Sequence, residues 1–255
     1  MRNFDSCQDP LRASLKGTMA GHVEEIPFWS RQLTEHCLFL HWMLQDEPYR
    51  QRTWQLYQEW EIARRHIALT PDAAPQIVQQ PLADLARFKE DLLRQLGSGE
   101  WLGFAWYTFV RHVLDELLLF ERRIWGPDYA GNDLAKQALQ LTSEHAAFVA
   151  HLLDPMEKPL IEQASATANK LAAAAQAPTP ESAREPLAVN QWLAANNIGM
   201  EQPRPQSLIP KILAEHVVRE HEMFAKLAAE SSLQMVANPH DHDHGLCGLP
   251  LPPYR

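Results

Sequence analysis

A chain of 255 residues, 45% of them hydrophobic, is long enough to bury a substantial core in one large domain or two small ones. Its net charge of −9, with lysines and arginines dispersed, argues against a nucleic-acid-binding surface, and three isolated cysteines, Cys7, Cys37 and Cys247, offer neither a disulfide framework nor a thiolate zinc site. No run approaches about 18 apolar residues and "MRNFDSCQDPLRASLKG" has no apolar signal core, so the expectation is a soluble, cytoplasmic protein.

The periodicity is helical along the chain, with no alternating β-branched run. Residues 1–21 read as an N-terminal extension. A first helix opens near Glu25 and Pro27, proline being tolerated in a first turn, and runs to about Gln45. A second covers Tyr49 to Leu69. After "TPDAAP" a short helix is expected around Leu82 to Leu96, and after "GSGE" a long one from Trp101 to Trp125. "GPDYAGND" leads into a helix over Asp133 to Leu153, and an alanine-rich helix follows over Lys158 to Ala175. "QAPTPESAREP" and "NNIGMEQPRPQ" read as proline-rich connections, before a last strong helix from Pro210 to about Leu233. Residues 235–255, rich in Pro, Gly and His, read as a flexible tail.

Two pairs of segments match in register. "EHCLFLHWML" (35–44) and "EHAAFVAHLL" (144–153) share Glu, His, Phe and the final Leu, while "HVLDELLLF" (112–120) and "HVVREHEMF" (216–224) share His, Val, Glu and Phe. The offsets are similar, 109 and 104 residues. This pattern predicts a tandem duplication of a roughly three-helix unit, spanning 22–130 and 131–234.

Helix geometry turns these motifs into a constellation. Trp29, Leu33, His36, Leu40 and Met43 form one stripe, and Ala138, Leu141, His145, Phe148 and Leu152 form its counterpart. His112 and Glu116 share a stripe with Phe109 and Leu119, and His216 and Glu220 share one with Ile212 and Met223. Four helices therefore aim imidazoles, and two of them also carboxylates, at a common interior. An unpaired buried carboxylate costs several kcal/mol, and a divalent metal would compensate it. His-xxx-Glu on one helix face can chelate a single ion. Taken repeat by repeat, the sets are His36 with His112 and Glu116, and His145 with His216 and Glu220. Two histidines and a carboxylate suit non-haem iron, with manganese or zinc as alternatives.

The bland reading of any one such histidine is a satisfied core residue. Glu35 and Glu144 precede the histidines by one position and are turned about 100° away, as surface residues, neighbours of the site or bridging ligands. "HVVREH" has one residue too many for a reversed zinc-protease motif. His240, His242 and His244, in "HDHDHG", could load or sense metal or have no role.

"EEIPFWSRQLTEHCLFL", the "HVLDE" and "HVVRE" helices and "SEHAAF" together resemble an uncharacterised bacterial family of ferritin-like helical-bundle proteins, domain of unknown function 2935, over roughly residues 22–230. The resemblance implies an all-α, duplicated bundle with metal at its centre. It would carry over Glu25, His36, His112, Glu116, His145, His216 and Glu220 as ligands or neighbours of the site. The chain departs from the family pattern in the proline-rich region 176–210 and in the histidine-rich tail. It also has His-xxx-Glu helices where ordinary di-iron bundle proteins have Glu-xx-His.

The functional expectation is a non-haem metal protein, an iron-dependent oxidase or oxygenase acting on dioxygen or a small molecule. The alternatives are a storage, buffering or delivery protein, and a helical module whose histidines only pack. Four neutral histidines and two carboxylates balance one divalent ion in a saturated site, whereas two ions sharing them would keep open positions. The acidic surface and exposed aromatic helices would permit a homodimer.

Overall fold

A computed structural model describes residues 21–126, 132–199 and 207–237. Among these residues the apolar periodicity is realised as eight α-helices: α1 (Ile26–Met43), α2 (Glu47–Leu69), α3 (Ala74–Gly97), α4 (Tyr107–Trp125), α5 (Asn132–Leu152), α6 (Lys158–Gln176), α7 (Glu185–Ala195) and α8 (Lys211–Ala237). The fold class is all-α, a helical bundle. None of these helices is long and apolar enough to cross a membrane. The N-terminal extension up to residue 20 and the histidine-rich tail from residue 238 lie outside the described residues.

Local chemistry explains most boundaries. Pro27 sits in the first turn of α1, and the Asp46 carboxylate caps α2 by accepting from the Tyr49 amide at 3.3 Å. The third helix is not the short one expected: it runs 24 residues from Ala74, with Pro75 in its first turn and Pro81 inside it. Pro81 lacks one backbone donor. The buried stripe of Val78, Leu82, Leu85 and Leu92 continues through it, and that burial outweighs the missing bond.

The fourth helix starts later than expected, at Tyr107, because the residues before it pair with the end of α1. The Gln45 amide donates to the Leu102 carbonyl at 2.8 Å, and the Phe104 amide to that of Met43 at 2.7 Å. Gly103 makes this approach possible: its φ is +133°, and a Cβ there would lie 2.5 Å from the Met43 carbonyl oxygen. The second half repeats the arrangement. Leu153, after α5, bridges Ser207, before α8, as Leu44 bridges Gly103, and the Leu208 amide donates to the Leu152 carbonyl at 2.8 Å. The two bridges are related by the same offsets, 109 and 104 residues, that relate the sequence motifs.

Residues 22–130 hold α1–α4, matching the four helices read there, whereas the second half holds α5–α8, ending at Ala237, one helix more than the three read there, so neither is a three-helix unit. The extra element is α7, in a stretch read as part of a proline-rich connection. Its apolar side chains lie all round it, from buried Val189 and Leu193 to exposed Leu187, so no single stripe marks it. One hydrophobic cluster is built mainly from α1–α4, with Leu134, Ala138 and Phe224 reaching in. The other belongs to α5–α8. Between them α1, α4, α5 and α8 close a ring in which each helix touches the next. Glu25 and Arg123 lock one end of that ring: the Arg123 guanidinium donates to both Glu25 oxygens, and Lys226 of α8 stands 3.6 Å away.

Candidate metal centre

The ring helices deliver His36 (α1), His112 and Glu116 (α4), His145 (α5), and His216 and Glu220 (α8) to one place, all of them buried. His36 Nε2 lies 3.2 Å from His216 Nε2, and His112 Nε2 lies 2.8 Å from His145 Nε2. The candidate ligand sets therefore cross the two halves of the chain. His36 joins His216 and Glu220, and His145 joins His112 and Glu116, the donor atoms within each triad lying within 4.8 Å of one another. Grouping by repeat, as the sequence suggested, is corrected on this point: periodicity along one helix says which face a residue occupies but not which helix it faces.

Each carboxylate spans both triads. Glu116 Oε1 is 3.1 Å from His112 Nε2 and 3.5 Å from His145 Nε2, while its Oε2 is 3.1 Å from His36 Nε2. Glu220 mirrors it, with Oε1 3.1 Å from His216 Nε2 and 3.6 Å from His36 Nε2, and Oε2 3.3 Å from His145 Nε2. None of the four oxygens makes a hydrogen bond of good geometry, although imidazole nitrogens lie within ion-pair distance of each. Four buried acceptor oxygens left this way would cost several kcal/mol. Oxygens and ring nitrogens point instead at shared space, an arrangement that fits divalent cations. The buried His/Glu clusters can bind a metal.

Behind the rings a second network sets the tautomers. His216 Nδ1 faces Glu35 Oε2 at 2.7 Å, and His112 Nδ1 faces Glu144 Oε2 at 2.6 Å. Glu35 and Glu144 thus each hold the histidine of the opposite half, and their carboxylates fix the proton on Nδ1 and free Nε2 for a metal. For His145 the holder is His221, whose Nε2 lies 3.1 Å from His145 Nδ1 and whose Nδ1 lies 2.7 Å from Asn190 Oδ1. Asn190 donates its amide hydrogen to the Val218 carbonyl, so its oxygen faces His221. His221 then donates to Asn190 and accepts from His145.

His36 is the exception. Its Nδ1 lies 3.3 Å from the buried Lys89 ammonium, which also donates to the Val113 carbonyl. A charged lysine can only donate, leaving the His36 proton on Nε2; a neutral one can accept from Nδ1 and free Nε2. Burial lowers the Lys89 pKa to about 8, so both states lie within reach of physiological pH.

The charges are strongly coupled. Burial opposes ionisation of Glu116 and Glu220, but the surrounding histidines reverse that and hold both carboxyls well below their usual range. Desolvation works against a charged His216 as well, yet Glu220 and Glu35 raise it to about 9, and His112 is raised well above its ordinary value by Glu116 and Glu144. Burial holds His221 well below its ordinary pKa and keeps it neutral.

Glu25, expected near the site, is placed instead in the ion-pair network with Arg123. Sequence reasoning did not single out Lys89, His221 or Asn190 as part of the site. A signal for the first existed: Lys89 falls on the stripe of Leu82, Leu85 and Leu92, where a lysine is out of place. Cys37 is buried, and desolvation raises its thiol to about 12, which makes it inert.

One wall of the centre faces a cavity of about 400 Å³. His36, His112, Glu116, His145 and His216 lie at its deep end, and its sides are aromatic and aliphatic.

No family model matches the chain. It is 24% identical over 251 residues, covering 80% of this chain and 78% of the relative, to "Uncharacterized protein L567" of Acanthamoeba polyphaga mimivirus. Its fold is similar to the crystal structure of an uncharacterised protein from Bacillus cereus G9241, with a TM-score of 0.70 at 16% identity, covering 82% of this chain and 90% of that one.

Proposed function

We propose that this protein is a non-haem metalloprotein with a two-ion centre, an iron-dependent oxidase or oxygenase. The observation that carries the reading is the pair of buried carboxylates, each presenting one oxygen to each His-rich triad with no other partner. The six residues fall into two groups of donors rather than one. Two ions would be held by His36, His216 and Glu220 and by His112, His145 and Glu116, with room for a small molecule to reach them.

Iron in such a site supplies redox chemistry with dioxygen. The chain's own contribution is to prepare the donors. Glu35, Glu144 and the His221–Asn190 relay hold three imidazoles by Nδ1 with their Nε2 atoms facing inward, ready to bind once deprotonated. Phe39 and Phe148 pack edge-on at 5.0 Å against His216 and His112, fixing ring planes and excluding water. Lys89 governs whether His36 offers a lone pair or an N–H. Kinship with the ferritin-like family and an origin by duplication belong to the same proposal. The mirrored bridges and the mirrored holding of His112 and His216 support it.

The test is anaerobic loading with ferrous iron followed by exposure to air. Oxygen uptake that is lost in His216→Ala supports the reading. Retention of iron with no oxygen uptake favours a storage protein, and unchanged metal content in His216→Ala refutes metal binding at this site.

A further inference from the structure

The cavity beside the centre carries an inference about what the site acts on, and it rests on the metal reading above. Protein interiors are close-packed, with few voids larger than a water molecule, yet about 400 Å³ stands open against the His/Glu cluster. That is room for roughly ten to fifteen non-hydrogen atoms, at about 30 Å³ for each water-sized group. Aromatic rings, Phe39, Trp106, Phe109 and Phe148 among them, and aliphatic chains such as Leu152 and Leu213 line it. Water along such walls finds few partners, whereas a hydrocarbon gains by leaving solvent.

The charged and imidazole side chains of the lining are few. The cluster histidines and Glu116 are buried and mark its deep end, whereas His151, its ring 4.9 Å from that of Trp106, is exposed. Around the mouth, large apolar side chains that ordinarily avoid solvent are exposed: Trp42 by 48%, Phe104 by 70% and Leu208 by 80%. Phe104 and Leu208 are the residues that follow the two mirrored bridges, so the mouth is formed by backbone pairing rather than by loose loops. With cations bound, the deep end carries positive charge and open positions, which suit an oxygen donor and repel an ammonium group.

We propose that the cavity binds a small amphiphile of roughly ten to fifteen non-hydrogen atoms, its hydrocarbon body against the Phe39–Leu213 walls and its single oxygen-bearing end at the His/Glu cluster. The oxygen-bearing end is a hydroxyl or a carboxylate, and the experiment separates the two.

The full-length protein is loaded with manganese(II), its metal content is measured, and decan-1-ol, decanoate and decylamine are titrated against it by calorimetry. The expected result is binding of the alcohol, the carboxylate or both, at least tenfold tighter than the amine. NMR of the bound probe should show the methylene next to oxygen broadened more strongly than the terminal methyl, because the manganese lies at the deep end. Val149→Phe, which fills the cavity one turn beyond His145, should weaken binding at least tenfold with metal content unchanged. Leu208→Asp should do the same from an exposed position where the fold is indifferent. Fully metal-loaded protein that binds no probe, or binds equally well in both variants, overturns the inference and leaves the metal reading standing. Uniform broadening, or stronger broadening at the methyl, overturns the orientation. Protein that takes no metal but still loses probe binding in both variants retains the cavity and overturns the metal reading.

Discussion

Metal uptake at this centre should expel protons, and the structure gives the number. Between pH 6.5 and about 9 the metal-free protein holds His216 as a cation: Glu220 Oε1 at 3.1 Å and Glu35 at 2.7 Å outweigh its desolvation and raise its pKa to about 9. His112, between Glu116 and Glu144, is shifted in the same direction. Both Nε2 protons must leave before a cation can bind, while Glu116 and Glu220 are already ionised. Uptake at pH 7.5 therefore releases about two protons from these histidines, and Lys89, with a pKa of about 8, must release most of a third before His36 turns a bare Nε2 inward; apparent affinity changes by about tenfold per pH unit for each, at least a hundredfold in all. Calorimetry of manganese(II) binding in buffers of different ionisation enthalpy counts the protons, and chelator competition at pH 6.5 and 7.5 measures the affinity ratio. Uptake with no proton release and a flat pH dependence would refute the reasoning. The same shifts carry a stability signature. His216 has a folded pKa raised above its unfolded one, so its contribution is fully present below about pH 6.5 and is lost as pH rises through about 9. The melting temperature of the metal-free protein should fall across that window.

The other predictions isolate the supporting residues. Asn190→Ala removes the acceptor that fixes His221, lets the His221 proton move to Nε2 and so turns the His145 proton inward; metal affinity should fall about 10- to 100-fold, whereas Asn190→Asp keeps the acceptor and should retain it. Glu35→Gln and Glu144→Gln should each weaken binding by a similar factor, about 10- to 100-fold, read by chelator competition. Lys89→Met removes a buried positive charge that both repels the cations and keeps the His36 proton on Nε2, and should tighten metal retention by about tenfold, or about 1.4 kcal/mol; weaker retention per folded chain would contradict this. Glu25→Ala leaves the buried Arg123 guanidinium with Glu230, at 3.3 Å, as its remaining carboxylate partner and should cost about 1–3 kcal/mol in chemical denaturation while leaving metal content per folded chain unchanged.

How much of this was legible in the sequence follows from what helical periodicity encodes. Stripes such as Trp29–Leu33–His36–Leu40 fix which face is buried, so the all-α class and the inward direction of the six candidate ligands could be read directly. Partnership could not: the crossing of His36 to His216 and of His145 to His112 depends on how α1, α4, α5 and α8 close their ring. Pro81 hid the first half of α3 because proline ordinarily breaks a helix, and here burial of the surrounding stripe prevails. Asn190 was missed with α7 itself. His221, five residues after His216, is turned to another face of α8. It points away from the donor atoms, and that angle is what lets it hold His145 from behind.

The most direct test of the account is the metal stoichiometry of the untagged protein, reconstituted anaerobically with ferrous iron, desalted and analysed by elemental mass spectrometry beside a chain ending at Ala237. The account predicts about two equivalents per chain in both, the number that two carboxylates and two histidine pairs can hold. One equivalent would contradict the two-ion centre, and none in the shortened chain would move the metal out of the helical core altogether.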